Sequence, residues 1–577
     1  MERPFRSGSV TRLHQDRSLL RHAPLVMLGA MFIPVMAGLA GTFLPAIGYF
    51  PALGGDSLSP GPILDLVRWP GFFKAGALSI TTGVGVTLLS LAIVILFTAA
   101  WQGTRLFSAA ERLLSPLLSV PHAAAAFGVA FLLAPSGWLA RVMSPWATGW
   151  TTPPDVLIPQ DPWGLTMMAG LVAKEVPFLL LMTIAALGQT ESIKSRTIAQ
   201  SLGYGRTWAW MTVVLPRVYE QIRLPVYAVL AYAMSVVDVA IILGPNAPGT
   251  LSAQVVSWMS DADLALRYRA SAGALAQLGL VGGTLILWRL MELSVGCAAR
   301  RWAYLGRRMQ RDRVLRHAAL LGAAAPILAV LIGLASLLVW SFAGFWSYPD
   351  VLPLSFTWTT WLRHASDLRD PIMETVRIGA MAVGISLALT IITLEAEQRF
   401  NLKLTTRRLG LLYAPLLVPQ VAFLVGLQTL ALESGLDAGT AAVTVAHIVF
   451  VLPYVFLSIA GPYRAWDARY ATISAAMGAG TQRTLWKIRL PMLLGPLLVA
   501  AAIGFAVSVG QYLPTLLVGA GRVQTLTTEA VALASGGDRR VIGVFALTQT
   551  LAAAVPFMAA IALPRFFWRN RRALQHR

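Results

Sequence analysis

The sequence predicts an all-α polytopic membrane protein with about 12 transmembrane helices, arranged as two parallel six-helix repeats. Three observations predict this class. First, 56% of the 577 residues are hydrophobic and only 12% are charged, whereas a soluble chain of this length needs many more charges on its surface. Second, apolar stretches of about twenty residues recur, each long enough to cross a bilayer core about 30 Å thick. Third, a polar segment of the first half recurs in the second half.

The apolar stretches are expected to be helices, because backbone groups in lipid must form their hydrogen bonds within the chain. An even number of spans returns the C-terminus to the side on which the chain began. The expected spans are residues 25–46, 77–100, 115–134, 164–188, 222–243, 270–293, 318–342, 372–394, 409–430, 440–461, 496–518 and 540–563.

The distribution of charge predicts the orientation of these spans. The net charge is +20, and the basic residues cluster in short loops beside apolar spans, in segments such as 301–317, 395–408 and 565–577. This pattern is typical of cytoplasmic loops, so both termini are expected in the cytoplasm and no nucleic-acid partner is expected. Arginines also precede the 25–46 stretch, which is too long for a signal peptide and is expected to be an uncleaved first span. The predicted external loops hold most of the acids: Asp56, Asp155, Asp161, Asp261, Asp263, Asp350, Asp367 and Asp370.

The cysteine and histidine content predicts no metal and no other bound cofactor on this chain. Cys297 is the only cysteine, which excludes an intrachain disulfide. The seven histidines include no pair at metal-ligand spacing. His122 and His447 lie in apolar stretches, where a lone histidine is more often a hydrogen-bond partner between helices than a ligand.

The recurring polar segment consists of residues 197–216, TIAQSLGYGRTWAWMTVVLP, and residues 472–491, TISAAMGAGTQRTLWKIRLP. We name these segments loop A and loop B. Thr, Ile, two glycines and a final Leu-Pro recur in them at identical places, 275 residues apart. A single Gly-x-Gly has no meaning by itself, but two copies at matching positions between spans indicate a duplication.

The duplication predicts a first half at residues 1–297, a basic cytoplasmic linker at 298–317 and a second half at 318–577. Two further pairs of similar segments support it, 115–128 with 414–426 and 176–185 with 452–460. Six spans in each half give both halves the same orientation. The spacing between the paired segments also predicts an extra external insert in the first half, near residues 134–163, with an interfacial element.

Each loop is interpreted as a short amphipathic helix along the cytoplasmic face of the membrane. Its small residues allow another backbone to approach closely. The proline that ends each loop, Pro216 or Pro491, ends or redirects the helix before the next span. The side chains expected to anchor the loops at the interface are Trp208, Trp210, Trp486, Lys487 and Arg489.

Both loops resemble the EAA loop of binding-protein-dependent ATP-binding-cassette (ABC) import permeases, whose pattern is roughly E-A-A-x-x-x-G-x9-I-x-L-P. The glycine and the Leu-Pro match this spacing in both loops, whereas the opening is Thr-Ile-Ala in loop A and Thr-Ile-Ser in loop B. The resemblance covers essentially the whole chain. One polypeptide with both six-span halves is similar to the fused permeases of the thiamine, ferric-iron and polyamine group, and residues 235–258 and 525–540 look closest to a fused branch near the thiamine permeases.

The resemblance implies that each loop forms a coupling helix, which docks in a groove on an ATPase subunit. It implies two copies of an ABC ATPase as partners, a periplasmic solute-binding protein, and a location in the lipid of a bacterial inner membrane. None of the five lysines follows a glycine as a Walker A motif requires, so ATP and Mg²⁺ are expected on the partner subunits and no enzymatic activity is expected here. The candidate ATPase-coupling residues are Ala199, Ser201, Gly203, Gly205, Leu215, Pro216, Ser474, Ala476, Gly478, Gly480, Leu490 and Pro491.

Ionisable and polar residues within spans are the candidates for a translocation pathway, because such groups are costly at membrane depth. Lys174 and Glu175 are adjacent in the fourth span and, about 100° apart on a helix, need separate partners. They are either a polar spot on the pathway or a structural ion pair. Asp238 and Gln511 lie at roughly corresponding places in the fifth and eleventh spans, either beside the pathway or in contacts that hold helices together.

Prolines at matching places in the fourth and tenth spans, Pro177 and Pro453, are candidate hinges for alternating access, although a static kink is an equal alternative. The leading hypothesis is the permease subunit of an ABC importer for a small polar solute. The alternative is an ion-coupled secondary transporter with two parallel halves, which would use Glu175 and Asp238 as ion sites. A membrane enzyme has no support from any catalytic cluster in the sequence.

Overall fold

The computed structural model describes residues 19–306, 308–402, 412–435 and 439–567. These residues form helices, with no strand among them beyond two isolated bridges, Phe50 with Gly55 and Ala343 with Phe356. The all-α polytopic class predicted from the sequence is confirmed. The arginines before residue 19, the basic residues 403–408, the start of the expected span 409–430 and the tail beyond residue 567 lie outside the described residues.

The two halves have similar orders of helices. In the first half these are α1 (Ala23–Ala46), α2 (Gly61–Arg68), α3 (Phe72–Trp101), α4 (Arg105–Ser119), α5 (His122–Leu133), α6 (Trp138–Met143), α7 (Leu165–Leu187), α8 (Ser192–Ser201), α9 (Arg206–Ala209), α10 (Leu215–Ser235), α11 (Asp238–Leu243), α12 (Leu251–Met259) and α13 (Leu266–Tyr304). In the second half they are α14 (Arg313–Phe342), α15 (Thr359–Arg363), α16 (Ala365–Arg399), α17 (Ala414–Leu417), α18 (Gln420–Glu433), α19 (Thr440–Arg464), α20 (Arg469–Ala476), α21 (Thr481–Thr484), α22 (Leu490–Met492), α23 (Leu494–Val509), α24 (Leu513–Val518), α25 (Leu526–Ala532) and α26 (Arg539–Phe567).

Fewer helices in the described residues qualify as spans than the sequence analysis expected. Nine are long and apolar enough to cross a membrane, or ten if the bent pair Thr481–Met492 and Leu494–Val509 counts as one span. The remaining two expected spans correspond to α10 and α18. α10 has charged residues in its first three turns, and α18 has only 14 residues. Length and composition therefore support nine or ten of the twelve expected spans.

Four expected spans contain breaks, and the breaks form two matching pairs. The spans 115–134 and 409–430 each divide at a proline, Pro121 or Pro419, which disfavours helical geometry in the residue before it. The spans 222–243 and 496–518 divide after Ser235 and after Val509. Non-helical backbone at membrane depth is tolerated only where it is buried in protein or lines a cavity, so the breaks mark the interior of the assembly.

The first helix of each half packs on the other half. α1 crosses α18, and a Cβ added at Gly426 would lie 1.8 Å from the Gly38 carbonyl oxygen. α14 crosses α5, and a Cβ added at Gly333 would lie 2.8 Å from the carbonyl carbon of Gly128. Both crossings therefore require glycine at the contact. The division into halves at residues 297 and 318 stays a prediction. Each half contributes its first helix to the packing of the other half.

The extra segment of the first half contains the short helix α6 and is fixed to the second half. Arg141 of α6 is buried and donates to the backbone carbonyls of Ser347 and Asp350, at 2.6 and 2.9 Å. Its guanidinium carbon lies 4.6 Å from the centre of the Trp346 ring. This contact joins the halves on the face opposite loops A and B.

Candidate functional site

Loops A and B have the same local structure. In each, a helix (α8 or α20) ends before a glycine in the left-handed region, Gly203 at φ +91° or Gly478 at φ +76°. Any side chain there would strain the backbone, so glycine suits this turn. A short helix follows (α9 or α21), then one turn of π-helix at Trp210–Val214 or Leu485–Arg489.

The π turn leads directly into the Leu-Pro that ends each loop. The backbone N–H of Leu215 donates to the carbonyl of Trp210, and that of Leu490 donates to the carbonyl of Leu485. Proline removes one helical donor, and a local shift to π geometry re-pairs the carbonyls around it. The two prolines then differ in effect. The chain bends by 73° after α22 in loop B, whereas loop A continues into α10 without a break.

Each loop exposes a pair of apolar side chains one helical turn apart. In loop A, Ile198 is 56% exposed and Leu202 is 57% exposed. In loop B, Ile473 is 57% exposed and Met477 is 81% exposed. Residues four apart lie on one face of a helix, so each pair forms an apolar tip. The candidate residues chosen from the sequence do not include these tips, although an apolar pair at the same places in both loops was a signal for them.

Loop A is bonded to the end of α3 through Gln102. The indole Nε1 of Trp210 donates to the side-chain oxygen of Gln102 at 3.0 Å. Arg196 and Arg206 both donate to the Gln102 backbone carbonyl, at 3.1 and 2.5 Å. Burial, and then the neighbouring Arg206 charge, lower the pKa of Arg196. The expectation that Trp210 anchors the loop at the membrane interface is wrong, because this indole is fully buried and bonded to α3.

Loop B is bonded to the end of α16 through a buried ion pair. The guanidinium of Arg489 donates to Glu395 at 2.5 Å, and the Tyr463 hydroxyl donates to the same carboxylate at 2.6 Å. Arg399 donates to its other oxygen at 2.7 Å. The expected interfacial role of Arg489 is therefore also wrong, since the side chain is buried and its charge is matched inside the protein. Trp486 is exposed, and its interfacial role stays a prediction.

The linker between the halves lies against the glycines of loop A. The backbone N–H of Gly205 donates to the Met309 carbonyl at 3.2 Å, and the Gln310 side chain donates to the Gly203 carbonyl at 3.2 Å. A Cβ at Gly205 would lie 2.3 Å from the Met309 carbonyl oxygen. Small residues were expected to let another backbone approach closely. At loop A, the backbone that approaches is the linker of the same chain.

The surroundings of the two glycines in loop B are open. A Cβ added at Gly478 or Gly480 would meet nothing within 4 Å among the described residues. The other candidate coupling residues divide in a similar way between packed and exposed positions. Ala199 and Ser474 are buried, whereas Ser201 and Ala476 are exposed.

A second group of candidate residues lies at the seam between the halves. An oxygen of Glu175 in α7 is 3.5 Å from the Nε2 of His122 in α5. The His122 ring centre lies 5.0 Å from that of Tyr232 in α10. Asp238 is buried at the start of α11, where α10 has broken, and interacts electrostatically with His122. The first half thus brings Glu175 and Asp238 to one histidine.

Two tyrosines of the second half face this group. Tyr454 interacts electrostatically with Glu175, and Tyr512 with Asp238. Tyr454 directly follows Pro453 in the sequence, and Tyr512 directly follows Gln511 at the break between α23 and α24. The half-buried Gln511 therefore lies beside the group, on the chain segment that corresponds to Asp238.

Lys174 points away from this group. Its Nζ donates to the carbonyls of Leu117 and Val120, at 2.8 and 2.6 Å, and so bonds the free end of α4 before the break at Pro121. The expectation that Lys174 and Glu175 need separate partners is confirmed. The contacts of Lys174 favour a structural role, and its place on a pathway stays a prediction.

The two candidate hinge prolines are buried inside continuous helices. α7 runs through Pro177 and α19 runs through Pro453. Their role as hinges stays a prediction. His447, also in α19, bonds to Ser508 through Nδ1 and to Thr515 through Nε2, both at 2.9 Å, as expected for a histidine between helices.

Comparisons with known proteins agree with this architecture. No family model matches the chain. The inner membrane ABC transporter permease protein YnjC of Escherichia coli (strain K12) is 29% identical over 567 residues, which cover 96% of this chain and 99% of that protein.

Two shorter permeases match parts of the chain. The molybdenum transport system permease protein ModB of Mycobacterium tuberculosis is 35% identical over 77 residues, 13% of this chain and 29% of that protein. The spermidine/putrescine transport system permease protein PotC of Haemophilus influenzae is 25% identical over 154 residues, 27% of this chain and 60% of that protein.

The helical fold, the duplicated loops and these relatives fit a fused two-half permease of an ABC importer. The recognition made from the sequence is therefore confirmed.

Proposed function

We propose that this chain forms the translocation pathway of an ABC importer in a bacterial inner membrane. A periplasmic binding protein delivers a small polar solute, and two copies of an ATPase subunit drive the cycle from the cytoplasmic side. The observation that carries the proposal is the pair of loops, which share a backbone and an exposed apolar tip in the same register. Exposed apolar pairs on otherwise polar segments are typical of protein-binding surfaces.

The attachments of the loops suggest how movement of the ATPase subunits would reach the membrane helices. Loop A is bonded to α3 through Gln102, and loop B is bonded to α16 through Glu395. When ATP brings two ATPase subunits together, the docked loops move with them and carry these helices. The switch requires that the ATPase dimer bind the two arrangements with different affinity, because equal affinity shifts no equilibrium.

The seam between the halves supports the route of the solute. Glu175, Asp238 and His122 come from one half, and Tyr454 and Tyr512 come from the other, so a rotation of the halves changes their separation. The proline that follows Glu175 by two residues and the one that precedes Tyr454 each remove a backbone hydrogen bond beside the group. Local bending of α7 and α19 at these prolines would increase or decrease the separation between the polar groups of the two halves.

The test of the docking role replaces the apolar tips by charge. In the variant Ile198→Glu/Leu202→Glu/Ile473→Glu/Met477→Glu, we expect the purified protein to lose the ATPase subunit that copurifies with the unchanged chain, and cells to lose uptake. Ile193→Glu is the matched control, since this exposed residue of α8 lies about 140° around the helix from Ile198. Full retention of the ATPase by the fourfold variant would refute the role of the tips.

Reconstitution discriminates the proposal from an ion-coupled transporter. Vesicles that contain the purified chain alone are expected to accumulate no solute under a proton or sodium gradient. Accumulation that is lost on Glu175→Gln or Asp238→Asn, with no ATPase present, would favour the secondary transporter instead.

A further inference from the structure

The linker that joins the two halves lies against loop A and contacts it at several residues. Trp302, near the end of α13, stacks on Trp208 of loop A with ring centres 6.3 Å apart and planes 20° apart. Met309 and Gln310 then bond to the backbone of Gly205 and Gly203.

Asp312 ends this run of contacts at the first residues of α9. One oxygen of its carboxylate accepts from the Thr207 hydroxyl at 2.8 Å and from the Thr207 backbone N–H at 3.2 Å. A carboxylate at the start of a helix bonds free backbone donors and is favoured by the helix dipole. The linker therefore supplies from outside the cap that α9 lacks in its own sequence, where Gly205 precedes it.

The far end of the linker is fixed to the same part of the molecule. The Trp101 indole at the end of α3 donates to the Arg316 carbonyl at 3.1 Å, and the Arg316 guanidinium carbon lies 5.0 Å from a Trp101 ring centre. α14 then continues along α3 and α5. Since α3 also holds loop A through Gln102, linker, loop and helix form one connected unit. A rotation of the halves relative to each other does not require the linker to leave loop A.

We propose that the first ATPase docking surface is composite, with the linker segment Arg308–Asp312 as a fixed part of it, whereas the second surface consists, among the residues that the structure describes, of loop B alone. The proposal rests on the proposed function. The side chain of Arg308 lies 3.3 Å from the position of a Cβ on Gly203, the residue next to the apolar tip at Leu202. Arg308 and Arg311 are exposed there. The partner at loop A is thus an ATPase surface with an apolar groove and carboxylates beside it.

Two consequences follow from a fixed linker. Identical ATPase subunits meet two different surfaces, so their affinities for the two loops differ. In addition, the glycine face of loop A is unavailable to the ATPase, which reaches only the apolar tip and the linker there. At loop B, none of the described residues covers the tip or the glycine face.

The test isolates each docking surface in the full chain. In the Ile473→Glu/Met477→Glu background only loop A binds the ATPase subunit that copurifies with the unchanged chain. There, Asp312→Ala and Arg308→Ala/Arg311→Ala are each expected to weaken ATPase binding about tenfold or more, because hydrogen bonds to charged groups contribute on this scale. In the Ile198→Glu/Leu202→Glu background, where only loop B binds, the same changes are expected to leave the affinity unchanged. Unweakened binding at loop A, or equal weakening at both loops, would overturn the proposal.

A cross-link tests whether the linker stays in place. In a Cys297→Ser chain, Thr207→Cys with Asp312→Cys is expected to form a disulfide with or without Mg-ATP. The oxidised, cross-linked variant is expected to take up solute no more slowly than the same variant in its reduced form. Loss of uptake on cross-linking that a reductant restores would show that the linker must leave loop A. These results concern the linker only while the unchanged chain binds its ATPase. If the unchanged chain binds no ATPase, the proposed function fails first, and the composite surface fails with it.

Discussion

Loops A and B place one backbone design in two different environments. Both have a helix, a left-handed glycine, a short helix and a π turn before Leu-Pro. Loop A is covered on its glycine side by the linker and held by the side chain of Gln102, whose partner, the Trp210 indole, is neutral. Loop B has no cover on that side among the described residues and is held by the buried pair of Arg489 and Glu395. The two loops therefore share their backbone conformation, as their repeated sequence predicts, but differ in how they are attached to the rest of the protein.

The difference between the attachments concerns charge. Position 489 of loop B corresponds to Val214 in loop A, which is buried without a polar group. A buried ion pair is sensitive to the loss of either partner, because the remaining charge has no water to solvate it. A neutral contact loses less. The two loops are therefore expected to tolerate substitution unequally.

The largest expected effect comes from removal of this charge. Glu395→Ala leaves Arg489 buried without its carboxylate and is expected to lower the free energy of unfolding by about 3–5 kcal/mol. Gln102→Ala, the matched change at loop A, is expected to remove about 1–3 kcal/mol, because it removes only side-chain bonds to neutral groups and keeps the backbone carbonyl that accepts from Arg196 and Arg206. Thermal unfolding of both variants in the same detergent measures the difference. Equal losses would contradict the idea that the loops are held by different physical means.

The second prediction compares the two crossings at which each half receives the first helix of the other. Gly426→Ala forces a methyl group to within 1.8 Å of a backbone oxygen, whereas Gly333→Ala approaches a backbone carbon at 2.8 Å. Overpacking costs about 1–3 kcal/mol, and we expect Gly426→Ala at the upper end of this range and Gly333→Ala below it. Thermal unfolding gives the order directly. The reverse order would show that α1 yields more easily than α14.

The third prediction tests the linker contact through stability alone. Gly205 (φ −61°, ψ 154°) and Gly480 (φ −68°, ψ 165°) have nearly the same backbone conformation, so valine adds no strain specific to either. Gly205→Val pushes into the Met309 carbonyl and is expected to cost about 1–2 kcal/mol, whereas Gly480→Val enters open space and is expected to cost less. We also expect faster trypsin cleavage after Arg308 and Arg311 in Gly205→Val only. Equal cleavage rates would mean that the linker does not depend on Gly205.

The parts of this structure that the sequence predicts are those set by local chemistry. The apolar lengths predict most of the spans, and the repeated glycines and Leu-Pro predict two equivalent loops. The breaks at Pro121 and Pro419 follow from proline geometry, and Gly510 is a local signal for the break after Val509. The break after Ser235 has no such signal. Both helices end beside the seam between the halves, and only the tertiary structure defines that seam.

The burial of individual loop residues could not be predicted from the sequence for the same reason. Trp210 and Arg489 are residue types common at membrane interfaces, so their burial depended on partners in α3 and α16 that are distant in sequence. The linker has the composition of an ordinary basic cytoplasmic segment. Its contact with loop A depends on where α13 ends and α14 begins.

The smallest expected effect concerns a hydrogen bond that loop B has and loop A lacks. The hydroxyls of Ser474 and Thr484 are buried and 2.8 Å apart, whereas loop A has Ala199 and Ala209 at these positions. Ser474→Ala alone is expected to cost about 1 kcal/mol, since it leaves a buried hydroxyl without this partner. The double variant Ser474→Ala/Thr484→Ala copies loop A, and we expect it to cost less than the sum of the two single changes. A double-mutant cycle by thermal unfolding measures this coupling. If the two losses in the free energy of unfolding are additive, the hydrogen bond between the hydroxyls contributes no coupling energy. The alanines of loop A would then cost no stability through the absence of this bond.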